Sequence, residues 1–147
     1  MSSADSISAR FREARERAGL SHDEVAKRMG ISSPSIWDIE SDDQELFMCY
    51  SIAKVQRFCS VLGIGPRDLF AIHSTLSPIT PAELAELIRE HCRSRSIGIE
   101  QLEEACSWSI AKSLDEPERF RHDYPIDGVR HICRELGIDW GRVILSL

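Results

Sequence analysis

The residues from Leu20 to Glu40 constrain the fold more than any other stretch of this chain. Ser21, with Glu24 three positions later, matches a capping box, the pattern that starts a helix. Gly30 follows the last apolar residue of that helix and accepts a left-handed backbone, so the helix is predicted to end there. Pro34 suits the first turn of a second helix. The stretch therefore predicts two short helices joined by a tight turn.

Inward-facing positions in this stretch follow helical spacing. The small or apolar residues concerned are Val25, Ala26, Met29, Ile31, Ile36 and Ile39. Together with the "GIS" of residues 30–32 and the "IE" of residues 39–40, this pattern resembles the Cro/C1-type (XRE) helix-turn-helix family of phage repressors and bacterial regulators. The resemblance extends over about residues 7–72 and implies a lambda-repressor-like, DNA-binding domain of five helices.

An internal repeat predicts a second module. Residues 50–64 align with residues 124–138 at a shift of 74, with seven identical columns, and residues 11–20 resemble residues 88–97 at a shift of 77. Such self-similarity is typical of tandem modules. We therefore predict an all-α chain of two tandem five-helix lambda-repressor-like modules, at residues 1–74 and 79–147. The second is degenerate, because no glycine marks its turn and Pro117 is expected to end its reading helix early. The register of residues 100–123 stays open.

Charge on the second helix of the pair argues against DNA. No Lys or Arg lies between Met29 and Ala53. Five carboxylates lie there instead: Asp38, Glu40, Asp42, Asp43 and Glu45. DNA affinity depends mainly on cations that contact phosphates, so this face is predicted to repel DNA. The arginines of the first helix either form a basic patch or pair with neighbouring glutamates on a solvated face.

Two functions of different kinds stay open. The first is a DNA-binding transcriptional regulator, with candidate contacts at His22, Lys27, Arg28, Ser32, Ser33, Ser35 and Trp37. The second is a protein-binding derivative of the fold, such as an antitoxin, an immunity protein or an adaptor. Its candidate surface for a basic protein partner comprises Trp37, Asp38, Glu40, Asp42, Asp43 and Glu45. DNA binding is placed first because the pattern of the helix pair is intact.

Motifs and composition reduce the classes of protein to which this chain can belong. No phosphate-binding loop or catalytic motif is present, so we expect neither an enzyme nor a cofactor. Five cysteines without CxxC spacing are typical of reduced thiols in a cytoplasmic protein and predict no metal site. No apolar run is long enough to span a membrane. A homodimer stays open, since two modules in one chain either mimic or replace a repressor dimer.

Overall fold

The computed structural model describes residues 6–146, and all the regular secondary structure in that range is helical. The prediction of an all-α fold is confirmed. The chain divides into two compact units, the first ending at His73 and the second beginning at Ser74. Within the described range, no helix is both long and apolar enough to cross a membrane.

The first unit contains six helices. They are α1 (Ile7–Arg17), α2 (His22–Met29), α3 (Ser33–Ser41), α4 (Glu45–Cys49), α5 (Ile52–Leu62) and α6 (Pro66–Leu69). The sequence predicted five, and the additional helix is the short α4. It forms where Leu46 and Phe47 are drawn into the core, 1% and 5% exposed, behind a segment that reads as a polar loop.

The predicted turn between α2 and α3 is confirmed in detail. The Ser21 hydroxyl accepts the Glu24 N–H at 3.1 Å, and the Glu24 carboxylate accepts the Ser21 N–H, which completes the capping box. Gly30 has φ 69° and ψ 33°, a left-handed conformation that a glycine adopts without steric cost. Ser32 is the N-cap of α3. These local signals set where the two helices begin and end.

Helical spacing and the repeat alignment predict six buried side chains in the first unit, and all six are buried. These are Phe11, Val25, Ile36, Val55, Cys59 and Leu62. Phe11 and Phe58 are fully enclosed, and their rings meet edge to face with centroids 5.4 Å apart. The Tyr50 ring packs on the other side of Phe58 at 5.2 Å. This aromatic cluster packs α1 against α5.

A buried ion pair joins α1 to α3. Arg15 Nε donates to Glu40 Oε2 at 2.9 Å, and Nη2 donates to Oε1 at 3.0 Å. The third nitrogen, Nη1, donates to the Leu20 carbonyl at 2.9 Å. The hydrogen bond with Glu40 raises the pKa of Arg15. The expectation that Arg15 lies on a solvated face and Glu40 on an exposed acidic surface was therefore wrong, because each lies one turn after a core residue, Phe11 or Ile36.

Asp43 anchors the loop after α3 to the start of α1. Its Oδ1 accepts the Ser8 N–H at 2.9 Å and the Ser8 hydroxyl at 2.6 Å. The Ser8 hydrogen bonds lower the pKa of Asp43, and the positive end of a helix favours a carboxylate at that position. Asp43 is exposed as predicted, but it is engaged with α1 and is not a free member of an acidic binding surface.

The second unit also contains six helices. They are α7 (Pro81–Arg95), α8 (Ile99–Cys106), α9 (Ala111–Asp115), α10 (Arg119–His122), α11 (Ile126–Leu136) and α12 (Gly141–Ile144). The repeat alignment predicts that Val129, Cys133 and Leu136 are buried; the first two are, whereas Leu136 is only half-buried.

The helix bounds are consistent with one register for the segment that the sequence left open. Helices α2 and α8 correspond at a shift of 77, and α5 and α11 correspond at a shift of 74. Ser107, with φ 63°, takes the left-handed turn position that Gly30 takes in the first unit. The three missing residues therefore lie between α8 and α11, where α9 has five residues and α3 has nine. The internal repeat stays a prediction, and the order of the helices in the two units is consistent with it.

Truncating Phe11 tests the core. Phe11→Ala removes a fully enclosed ring, so we expect the free energy of unfolding to fall by about 3–5 kcal/mol in urea titration. Arg17→Ala, at the exposed end of the same helix, is the control and should change stability by less than about 0.5 kcal/mol. A loss below about 1 kcal/mol for Phe11→Ala would contradict the enclosure of the ring.

The Asp43 contact predicts a pH dependence. Because the folded-state pKa of Asp43 lies below its ordinary value of 3.8, the ionised carboxylate stabilises the fold at neutral pH. That contribution is lost as pH falls through the folded-state pKa. The difference in free energy of unfolding between the natural chain and Asp43→Asn should be constant above about pH 5 and shrink toward pH 3. A difference that does not vary with pH would contradict this role.

Candidate nucleic-acid interface

Helices α2 and α3 cross with their apolar faces together. Val25, Met29, Ile36 and Ile39 are between 0% and 2% exposed, which leaves the opposite face of α3 toward solvent. The start of α3 is tied to the start of α2 by a hydrogen bond from the Ser33 hydroxyl to Asp23. The arrangement is that of helix pairs whose second helix enters the major groove of DNA.

His22 is held inside this arrangement and does not project from it. Its ring stacks on the Trp37 indole with centroids 3.8 Å apart and an angle of 9°. Its Nε2 lies 3.1 Å from Glu40 Oε2, and the His22 side chain is only 19% exposed. The predicted phosphate contact at His22 is therefore not supported by its position, because the nitrogen faces Glu40 and is shielded from solvent.

Trp37 lies in the middle of α3 and is 56% exposed although one ring face rests on His22. The apolar positions of α3 that face the core are filled by Ile36 and Ile39, as the sequence indicated. Trp37 consequently presents the largest side chain of the exposed α3 face. Its orientation is fixed by the chain of contacts from Trp37 through His22 to Glu40 and Arg15.

The three candidate serines differ in their freedom to contact a ligand. Ser32 is exposed, and its hydroxyl lies 2.8 Å from that of the half-buried Ser35. Ser33 is half-buried and donates its proton to Asp23. Ser32 is thus the serine best placed to meet a base edge or a phosphate at the start of α3.

Lys27 and Arg28 are exposed in the last turn of α2. Among residues 6–146, neither forms an ion pair. Lys27 lies one helical turn beyond Asp23, the residue that contacts α3, so it lies on the side of α2 nearer to the reading helix. Both cations that the sequence singled out are therefore available to a phosphate.

Three exposed or half-exposed carboxylates remain close together at the far end of α3. We call Asp38, Asp42 and Glu45 the acidic edge. Burial raises the pKa of the nearby Cys49 thiol, and all three of these carboxylates raise it further, which places them around one point at α4. The negative charge of the acidic edge is confined to one end of α3 and does not extend over the whole exposed face of that helix.

Reasoning from the sequence missed two features of the site. The first is the pairing of Arg15 with Glu40, which was missed because either charge alone resembles a surface residue. The signal that could have found it is that both residues follow core positions by one helical turn. Met48, which is 56% exposed on α4, was not predicted, because α4 itself was read as a loop.

Comparison with known proteins agrees with this geometry. Residues 6–71 match a protein family described as a helix-turn-helix domain. No curated protein and no solved structure shows significant similarity to the chain. The match covers α1 to α6 and excludes the second unit. Residues 6–71 are therefore similar to helix-turn-helix domains.

Proposed function

We propose that the first unit binds double-stranded DNA through α2 and α3, and that the chain is a transcriptional regulator without enzymatic activity. The observation that carries the proposal is the intact helix pair, which is closed at Gly30 and leaves α3 exposed along one face. The match of residues 6–71 to helix-turn-helix domains supports it. The proposal includes a cytoplasmic location, where the chain would meet DNA.

Repulsion of DNA by the carboxylates near α3 is expected to be weaker in the folded chain than the sequence suggested. Of the five carboxylates on and behind α3, Glu40 is neutralised by Arg15 inside the unit. Asp43 is bonded to the start of α1, where Arg10 also lowers its pKa. Asp43 stays ionised, but Arg10 offsets its charge in part, so the acidic edge holds the carboxylates of this set that have no nearby cation, while Lys27 and Arg28 are available to bind phosphates.

The proposal assigns a role to each exposed candidate. Lys27 and Arg28 contact phosphates, which supplies most of the affinity. Ser32 contacts the first base edge or its phosphate, and Ser35 supports Ser32 through their hydrogen bond. The Trp37 ring packs against a thymine methyl group in the major groove. Few donors face the groove, so affinity is expected to depend strongly on phosphate contacts and weakly on sequence.

A second function is favoured by one specific observation. Trp37 and Met48 are both 56% exposed, and each is a residue type that anchors protein interfaces. The acidic edge has no cation paired to it within residues 6–146 and would attract a basic partner. The second candidate is accordingly a protein-binding module for a basic protein, such as an antitoxin, an immunity protein or an adaptor. A homodimer stays a prediction for either function.

Removing the two cations tests the first function. The double variant Lys27→Ala, Arg28→Ala should weaken DNA binding and lower the slope of log affinity against log salt by about two units, because each lost phosphate contact releases about 0.9 fewer ions. Fluorescence anisotropy with labelled duplexes from 50 to 200 mM salt, roughly the range over which counterion release is measurable, gives this slope.

The matched control is the double variant Arg93→Ala, Arg95→Ala. It also removes two exposed cations from the last turn of a helix, but in the second unit. It should leave the slope almost unchanged. Equal slopes for the two double variants, or no DNA binding by the natural chain at about 50 mM salt, would overturn DNA binding through α2 and α3.

A single charge reversal separates the two functions. Asp38 lies on the exposed side of α3, and its carboxylate makes no hydrogen bond or ion pair among residues 6–146. Asp38→Lys should tighten DNA binding, since a repulsive charge becomes attractive. The same change should slow association with a basic partner, most clearly at low salt.

Trp37→Ala provides the matching test on the apolar contact. It should weaken a protein complex by at least about 2 kcal/mol of binding free energy if Trp37 is the anchor.

If Asp38→Lys weakened DNA binding, this result would contradict the first function. Partner affinity that is unchanged in both variants would contradict the second.

A further inference from the structure

The second unit contains a cavity of about 640 Å³ beside α9. This is the helix that is shortened to five residues, against nine in α3. The lining comes from the end of α8, the turn after it, α9, α10 and Tyr124. The volume lies within the range of pockets that hold small organic molecules. Where the first unit has a reading helix, the second unit therefore has a concave surface.

Two aromatic side chains in the cavity wall are fixed from behind. The Trp108 Nε1–H donates to His131 Nδ1 at 3.3 Å. Gly128 is buried beneath the indole, and a Cβ at that position would lie 3.0 Å from the ring, so any larger residue would require the indole to shift by a few tenths of an ångström. The Tyr124 hydroxyl lies 2.8 Å from that of Ser113. The two rings, with centroids 5.9 Å apart, form a rigid aromatic wall.

Three donors in the cavity lining have no partner among residues 6–146. They are the hydroxyls of Ser107 and Ser109 and the ammonium of Lys112. The carboxylates in the lining are already engaged: Glu103 accepts the N–H groups of Ile110 and Ala111, and Asp123 pairs with Arg119 at 2.8 Å. Lys112 is therefore the cation in the lining that is left to receive an anionic group.

We propose that this cavity binds a small aromatic carboxylate. The ring would pack on Trp108 and Tyr124, and the carboxylate would accept hydrogen bonds from Lys112 and the two serine hydroxyls. A single negative charge fits better than a phosphate dianion, because Arg119, the other cation in the lining, is held between Glu116 and Asp123. The inference does not depend on DNA binding, since every residue that carries it belongs to the second unit.

The test is a titration of the ¹⁵N-labelled full chain with indole-3-carboxylate, followed by amide chemical shifts. We expect the shift changes to concentrate in residues 103–113 and at Tyr124. The neutral isostere indole-3-carboxamide should bind at least about tenfold more weakly, because it lacks the charge that makes the hydrogen bonds strong. Lys112→Met, which keeps the apolar stem of the lysine, should weaken carboxylate binding by a similar factor.

Two further variants make the result decisive. Arg134→Met removes an exposed cation from the same unit, outside the cavity, and should leave the affinity unchanged. Gly128→Ala should weaken binding by crowding the Trp108 ring, with helix content checked by circular dichroism. The proposal is overturned if no amide shift changes, if the changes scatter over both units, if the carboxamide binds equally well, or if Lys112→Met and Arg134→Met have the same effect.

Discussion

The bidentate contact between Arg15 and Glu40 is the interaction on which the first unit's candidate interface depends. It joins α1 to α3 in the interior, and Glu40 also faces His22 at the start of α2. His22 in turn supports the indole of Trp37. A buried charge left without its partner is strongly destabilising, so the pair sets the position of α3 relative to both neighbouring helices. The exposed face of α3 is consequently oriented by an interaction that is itself hidden.

This contact also changes the electrostatic character of the helix pair. Five carboxylates on and behind α3 are unfavourable for DNA binding, but burial removes Glu40 from the surface and the first turn of α1 engages Asp43. What remains is an α3 face with an exposed Trp37, two free cations at the end of α2, and the acidic edge. The two proposed functions would use charges of opposite sign on this surface, so a charge reversal at Asp38 is expected to act on them in opposite directions.

The second unit has a helix order that matches the predicted repeat, with three fewer residues between α8 and α11 than between α2 and α5. Ser107 has a left-handed conformation after the eight-residue α8. Helix α9 has only five residues, and a cavity with an aromatic wall lies beside it. Gly128 has no counterpart in the first unit, where the aligned residue is Lys54, and its role is evident only from the indole that covers it.

Local signals in the sequence determined where most helices begin and end. Ser21 acts through hydrogen bonds and Gly30 through its left-handed backbone, both within a few residues of their own positions, so their effects are readable without the fold. The core residue Phe11 was readable for a similar reason, since helical periodicity reports burial. Only the tertiary structure decided which charges are buried, because the burial of Glu40 depends on its contact with Arg15, twenty-five residues away in the sequence. The cavity depends likewise on side chains brought together from separate helices, and no spacing along the chain encodes it.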